Sequence, residues 1–121
     1  MRIARTYATP DGGSSMDEIE IETSRAAFVP GCPEFGVSDP ISAAHAKFLN
    51  LDAEWIGGWH PTPVKQFLIV LRGGFEIRTS DGQTRQFGRG DIVLLADTEG
   101  RGHHTTMSAE AESWILAVAL E

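Results

Sequence analysis

At 121 residues the chain falls in the single-domain range, and its 41% hydrophobic content supplies one packed core but not two. The 17 acidic against 10 basic residues give a formal charge of -7 with no cluster of Lys or Arg, which argues against nucleic acid or anionic membrane as a partner, since both are recognised through positive charge. No apolar run approaches the roughly 20 residues that cross a bilayer, and Cys32, the only cysteine, excludes an intrachain disulfide and a cysteine-based zinc site.

In chain order, residues 1–15, "MRIARTYATPDGGSS", lack the apolar stretch of a signal peptide, so a cytoplasmic, unexported chain is the expectation. They are expected to form a flexible N-terminal segment, leaving residues 16–121 as one domain. Met16 to Glu22 alternates Ile19 and Ile21 with acids and reads as a strand able to join its own or a partner's sheet. A homodimer is therefore expected.

Residues 23–43, "TSRAAFVPGCPEFGVSDPISA", carry three prolines and two glycines, and Phe28, Val29, Phe35 and Val37 predict a long loop packed on the body. Cys32, between Gly31 and Pro33 with no base beside it, reads as an inert thiol. Strands follow at Ala44 to Leu51, Glu54 to Trp59 and Gln66 to Arg72. Phe67 to Leu71 is apolar at every position, as in a strand buried on both faces. Phe75 to Thr79 and Gln83 to Phe87 flank Asp81-Gly82, a strong hairpin signal. Asp91 to Ala96, His103 to Met107 and Ser113 to Leu120 complete an all-β sandwich or barrel, since no segment holds a helical period for more than two turns.

Two stretches, "GWHPTPVKQFLIVLRGG" (58–74) and "GDIVLLADTEGRGHH" (90–104), resemble the paired motifs of the cupin superfamily. The family's first motif has a glycine, two histidines one residue apart, a carboxylate four or five positions on and a glycine seven beyond. His60, Thr62, Gln66 and Gly73 stand at those spacings. The second runs from a glycine through a short apolar strand and a turn to another histidine, here Gly90 to His103, with Ala96 in the place of the turn proline. The resemblance covers residues 57–107 and implies a double-stranded β-helix, or jelly-roll barrel, holding one small organic molecule. Its cavity would contain His60, Thr62, Gln66 and His103. Of the adjacent His103 and His104 only one can face inward, and the motif spacing selects His103.

Cupin sites hold a divalent metal with three histidines and a carboxylate, and here Thr62 and Gln66 replace two of the four. His60, Gln66 and His103 would make a weak open site for Zn, Mn, Fe or Ni. Without an anion to offset the metal's charge, a metal-dependent dioxygenase ranks below Lewis-acid chemistry. Without metal, His60 and His103 would serve as general acid and base, because imidazole titrates near neutral pH. Thr62 and Gln66 would then orient a substrate carbonyl or hydroxyl, with Trp59, Phe67 or Trp114 lining the pocket. Both routes lead to a lyase or isomerase that moves a proton beside a carbonyl, and the alternative is a non-catalytic cupin that binds a small molecule. Asp97 and Glu99 read as turn residues, with a substitute carboxylate above the cavity as the other assignment.

Overall fold

The computed structural model describes residues 1–121. Its strands are β1 (Arg2–Ala8), β2 (Ser14–Glu20), β3 (Ser24–Ala26), β4 (Phe35–Val37), β5 (Ala43–Leu51), β6 (Ile56–His60), β7 (Gln66–Arg72), β8 (Gly74–Thr79), β9 (Thr84–Gly88), β10 (Ile92–Ala96), β11 (His103–Met107) and β12 (Ser113–Leu120). A six-stranded sheet in the order β2-β1-β10-β7-β12-β5 faces a four-stranded sheet in the order β6-β11-β8-β9, and β3 and β4 form a separate hairpin. No helix is long and apolar enough to cross a membrane.

Alternation along each strand builds the core between the sheets. β12 buries Ser113, Ile115, Ala117 and Ala119 and turns Trp114, Leu116 and Val118 the other way. Val70, Phe75, Ile77, Phe87, Val93 and Ile115 pack together, with the Phe75 and Phe87 rings 5.4 Å apart. Each such side chain contributes roughly 1.5–3 kcal/mol by leaving water. The β8–β9 hairpin turns at Asp81-Gly82, where Gly82 takes φ +91°. Asp81 accepts hydrogen bonds from Ser15, Thr79 and Gln83, and these, led by the Ser15 hydroxyl, hold its carboxyl far below the usual carboxylate range.

Three expectations change. Residues 1–15 are not a loose segment: β1 runs parallel to β10 and antiparallel to β2, and Ile3, Ala4 and Thr6 are buried. Small Ala4 and Thr6, on either side of Arg5, hide that strand's inward face in the sequence. Phe67 to Leu71 is buried well on one face only; Phe67 and Ile69 instead line a cavity of about 280 Å³ on the outer side of the large sheet, walled entirely by apolar residues. Most of residues 23–43 does not pack on the body; only Ile41 to Ala43 rejoin it, at the start of β5. Phe28 is 68% exposed and meets Phe35 at 5.7 Å, so the two rings cover each other on a projecting hairpin that also exposes Val29 and Cys32.

Candidate functional site

β6 ends at His60 and β11 begins at His103, and the antiparallel register sets these two residues opposite each other. Their rings lie 5.2 Å apart, tilted by 49°. The approach depends on Gly102, whose φ of +74° favours glycine and where a Cβ would overlap the His60 carbonyl and the Pro61 nitrogen. The Gly102 carbonyl accepts a 2.6 Å hydrogen bond from Ser14 Oγ, which ties this corner to β2.

His103 is 3% exposed, and its Nδ1 lies 2.6 Å from Oδ2 of the fully buried Asp97. Thr6 Oγ1 accepts from the Ala96 N–H at 3.4 Å and donates to Asp97 Oδ1 at 2.6 Å. Both carboxylate oxygens therefore accept, Nδ1 of His103 carries its hydrogen, and Nε2 is the unengaged nitrogen. No side-chain nitrogen or oxygen is both buried and unpartnered, so this Nε2, which has no hydrogen bond, opens on the cavity. His60 repeats the pattern at the mouth. Its Nδ1 is 2.5 Å from the Gly58 carbonyl, which can only accept, and Nε2 is again free.

Gln66 opens β7 and is braced from behind. Its Nε2 donates to Thr62 Oγ1 at 3.0 Å, and that hydroxyl donates onward to the Val64 carbonyl at 2.7 Å. Thr62, 1% exposed, does not line the cavity beside His60. The turn of Pro61 and Pro63 breaks the strand alternation that would have aimed it there, and its role is to fix the Gln66 amide.

The cavity between the sheets measures about 130 Å³. His60, Gln66, His103 and Thr105 supply its polar groups, while Leu49, Leu68, Leu95, Met107 and Ile115 are among its apolar walls. Trp55 completes the wall, its ring lying over Gly57, where a Cβ would collide with it. Trp59 and Trp114 take no part. Each neighbours an inward residue, so alternation sends it outward. Trp59 stacks under Arg101 at 4.5 Å and near His104 at 5.6 Å, and the Trp114 indole donates to Glu112 at 3.2 Å. Asn50 first, then Trp114, lowers the Glu112 carboxyl. Phe67 lies on the outer face of the same sheet.

No three His, Cys, Asp or Glu side chains group as metal ligands anywhere in the chain. The only carboxylate beside the cavity, Asp97, is spent on His103 and Thr6. The available set is two imidazole nitrogens and the Gln66 carbonyl oxygen. These neutral donors fit a weakly held divalent ion of the kind imidazole prefers, and they do not reproduce the four-ligand cupin set. A carboxylate behind an imidazole orients a metal ligand as well as a base. The poverty of the donor set is what separates the two uses.

Fold and site together define a small all-β pocket protein with a histidine-centred cavity. No protein-family model matches the sequence, and no curated protein matches it either. Among solved structures, the chain is similar to a Cupin 2 conserved barrel domain protein from Salinispora arenicola, at 21% identity and a TM-score of 0.52 over 82% of this chain and 74% of that one. A conserved protein of unknown function from Streptococcus pyogenes matches at 22% identity and a TM-score of 0.48, over 63% of this chain and 62% of that one. The iron(II) form of HppE in complex with substrate matches at 14% and 0.47, over 62% and 44%. The chain thus spans less than two thirds of the length of the last two. It has the cupin fold.

Proposed function

We propose that the protein is a small-molecule enzyme of lyase or isomerase type, working by histidine proton transfer beside a carbonyl. The observation that carries this is the buried 2.6 Å contact between Asp97 and His103, which presents one imidazole nitrogen to a cavity in a fixed tautomer. His103 Nε2 takes the proton from the carbon next to the carbonyl. His60, when protonated, gives one to the carbonyl oxygen, so the broken C–H pair becomes the C=C of an enol. The imidazolium formed at His103 is paired with the buried Asp97, where charge pairing is stronger than at the surface. Where the reacting carbon bears a hydroxyl the intermediate is an enediol, and return of the His103 proton to the former carbonyl carbon, with the adjacent hydroxyl proton passing to His60, completes an isomerisation. Where it bears a β-substituent instead, the enol proton returns to His60 as the C=O re-forms and the substituent departs with the His103 proton, which completes an elimination.

A divalent ion held by His60, Gln66 and His103 would add Lewis-acid polarisation of the carbonyl. In this proposal it assists and is not required. The deciding experiment is exchange of the carbon-bound proton of enolisable hydroxyketones with deuterated water. His103→Ala and His60→Ala should abolish the exchange with the fold intact; unchanged exchange leaves the chain as a non-catalytic binding cupin.

We also propose a homodimer. The support is the apolar outer cavity of the large sheet, flanked by Ile21 and Ile41 at the two feet of the projecting hairpin, together with the exposed Phe28 and Phe35 at its end.

A further inference from the structure

The hydrogen-bond polarity of the cavity selects among small carbonyl compounds. His103 gives its Nδ1 hydrogen to Asp97, and His60 gives its own to the Gly58 carbonyl. Gln66 is fixed with Nε2 toward Thr62, because the Thr62 hydroxyl has already spent its hydrogen on Val64. With both imidazoles neutral, the form a ligand meets before His60 takes up the proton it passes to the carbonyl, the three cavity residues offer three acceptors, Nε2, Nε2 and Oε1, against one remaining amide N–H. Thr105 can serve either way. No Lys, Arg, Asp or Glu lines the space, so with both imidazoles neutral an anionic ligand would enter without a cationic partner, which is costly beside apolar walls. At about 130 Å³ the cavity approaches the roughly 150 Å³ that holds a benzene molecule.

We infer that the ligand is an uncharged, mostly apolar molecule of about benzene size that brings its own hydroxyl: an enol, a phenol or a hydroxyketone rather than a simple ketone, a carboxylate or a phosphate. The inference rests on the proton-transfer function above and narrows its substrate. A hydroxyketone meets both demands, since its hydroxyl satisfies an acceptor while its carbonyl activates the neighbouring C–H.

The test uses phenol, its methyl ether anisole, and benzoate as probes, titrated into chelator-treated protein and followed by protein NMR. Chelation matters because the same three lone pairs would hold a cation. Phenol should bind at least tenfold more tightly than either of the others. Anisole or benzoate binding as tightly as phenol overturns the inference. Gln66→Met and His60→Ala, checked for intact fold by circular dichroism, should each shrink the phenol-to-anisole ratio severalfold; a full ratio in both variants also overturns it. Because binding is read without turnover, a kept phenol preference in protein that exchanges no substrate proton counts against the catalytic proposal alone.

Discussion

Asp97 Oδ2 stands 2.6 Å from His103 Nδ1 with the carboxylate wholly closed to solvent and the imidazole nearly so. Thr6, from the first strand, holds the second oxygen of the same carboxylate, so β1 positions a ring carried by β11.

Asp97→Asn should cut proton exchange about a hundredfold or more, since an amide can present its N–H to Nδ1 and turn the ring to the other tautomer. A merely structural Asp97 would lower stability and leave the ring alone. Nitrogen-15 NMR of His103 separates the two, and the wild type should show hydrogen on Nδ1 while the variant shows it on Nε2. Thr6→Val is expected to cost ~1–3 kcal/mol by leaving a buried carboxylate oxygen unpaired, with a smaller fall in exchange.

Gly102→Ala should lower stability by ~2–3 kcal/mol, and the melting temperature by about 10 °C, because a Cβ at φ +74° would also collide with the His60–Pro61 backbone. The damage should reach function through the His60 to His103 separation. Thermal unfolding checks the first part, and phenol binding by folded variant protein checks the second.

Much of this arrangement was legible in the sequence, for identifiable reasons. His60, Gln66 and His103 stand at fixed spacings along strands, and spacing survives without coordinates. The existence of the strand Gln66 to Arg72, though not its burial on one face only, and the Asp81-Gly82 hairpin were equally clear, because apolar runs and turn residues are local signals. Asp97 was not, since an acid before a glycine-rich turn looks like ordinary turn solvation until Thr6 and His103 are seen around it. That required β1, and β1 was missed because Ala4 and Thr6 fill its buried face with residues of little hydrophobic weight. Trp59 and Trp114 were placed inside on aromatic character; each sits one residue from an inward position, and one residue reverses the face.

Asp81 gives the fold a defined acid sensitivity. Its carboxyl is depressed, chiefly by the Ser15 hydroxyl and then by Thr79 and Gln83, so its stabilising effect is complete above the unfolded value near 3.9 and is lost as pH falls from there toward the lower folded value. Asp81→Asn should melt about 5 °C below wild type at pH 7, and the gap should close below about pH 4. Melting curves across pH 2–7 for the two proteins test this; a gap that stays constant, or grows in acid, would reverse the assignment.

Light scattering on size-separated protein should give about twice the 13.1 kDa chain mass. Phe28→Ser combined with Phe35→Ser should shift it toward monomer with little change in phenol binding, because neither ring touches the cavity. A monomeric wild type at micromolar concentration removes the dimer.

Gln66→Glu restores the missing anion at a position that already faces two imidazoles. A carboxylate there would pair with a divalent ion where the amide only donates a lone pair, so zinc affinity by calorimetry should rise at least tenfold. Thr62→His should not have this effect, although it supplies the histidine that the cupin motif carries at this spacing: the Thr62 side chain is buried against Val64 and Gln66, away from the cavity, and a larger ring there would displace Gln66. Equal zinc gains from both substitutions would mean that Thr62 faces the cavity after all, and would undo the fixed Gln66 acceptor on which ligand selection depends.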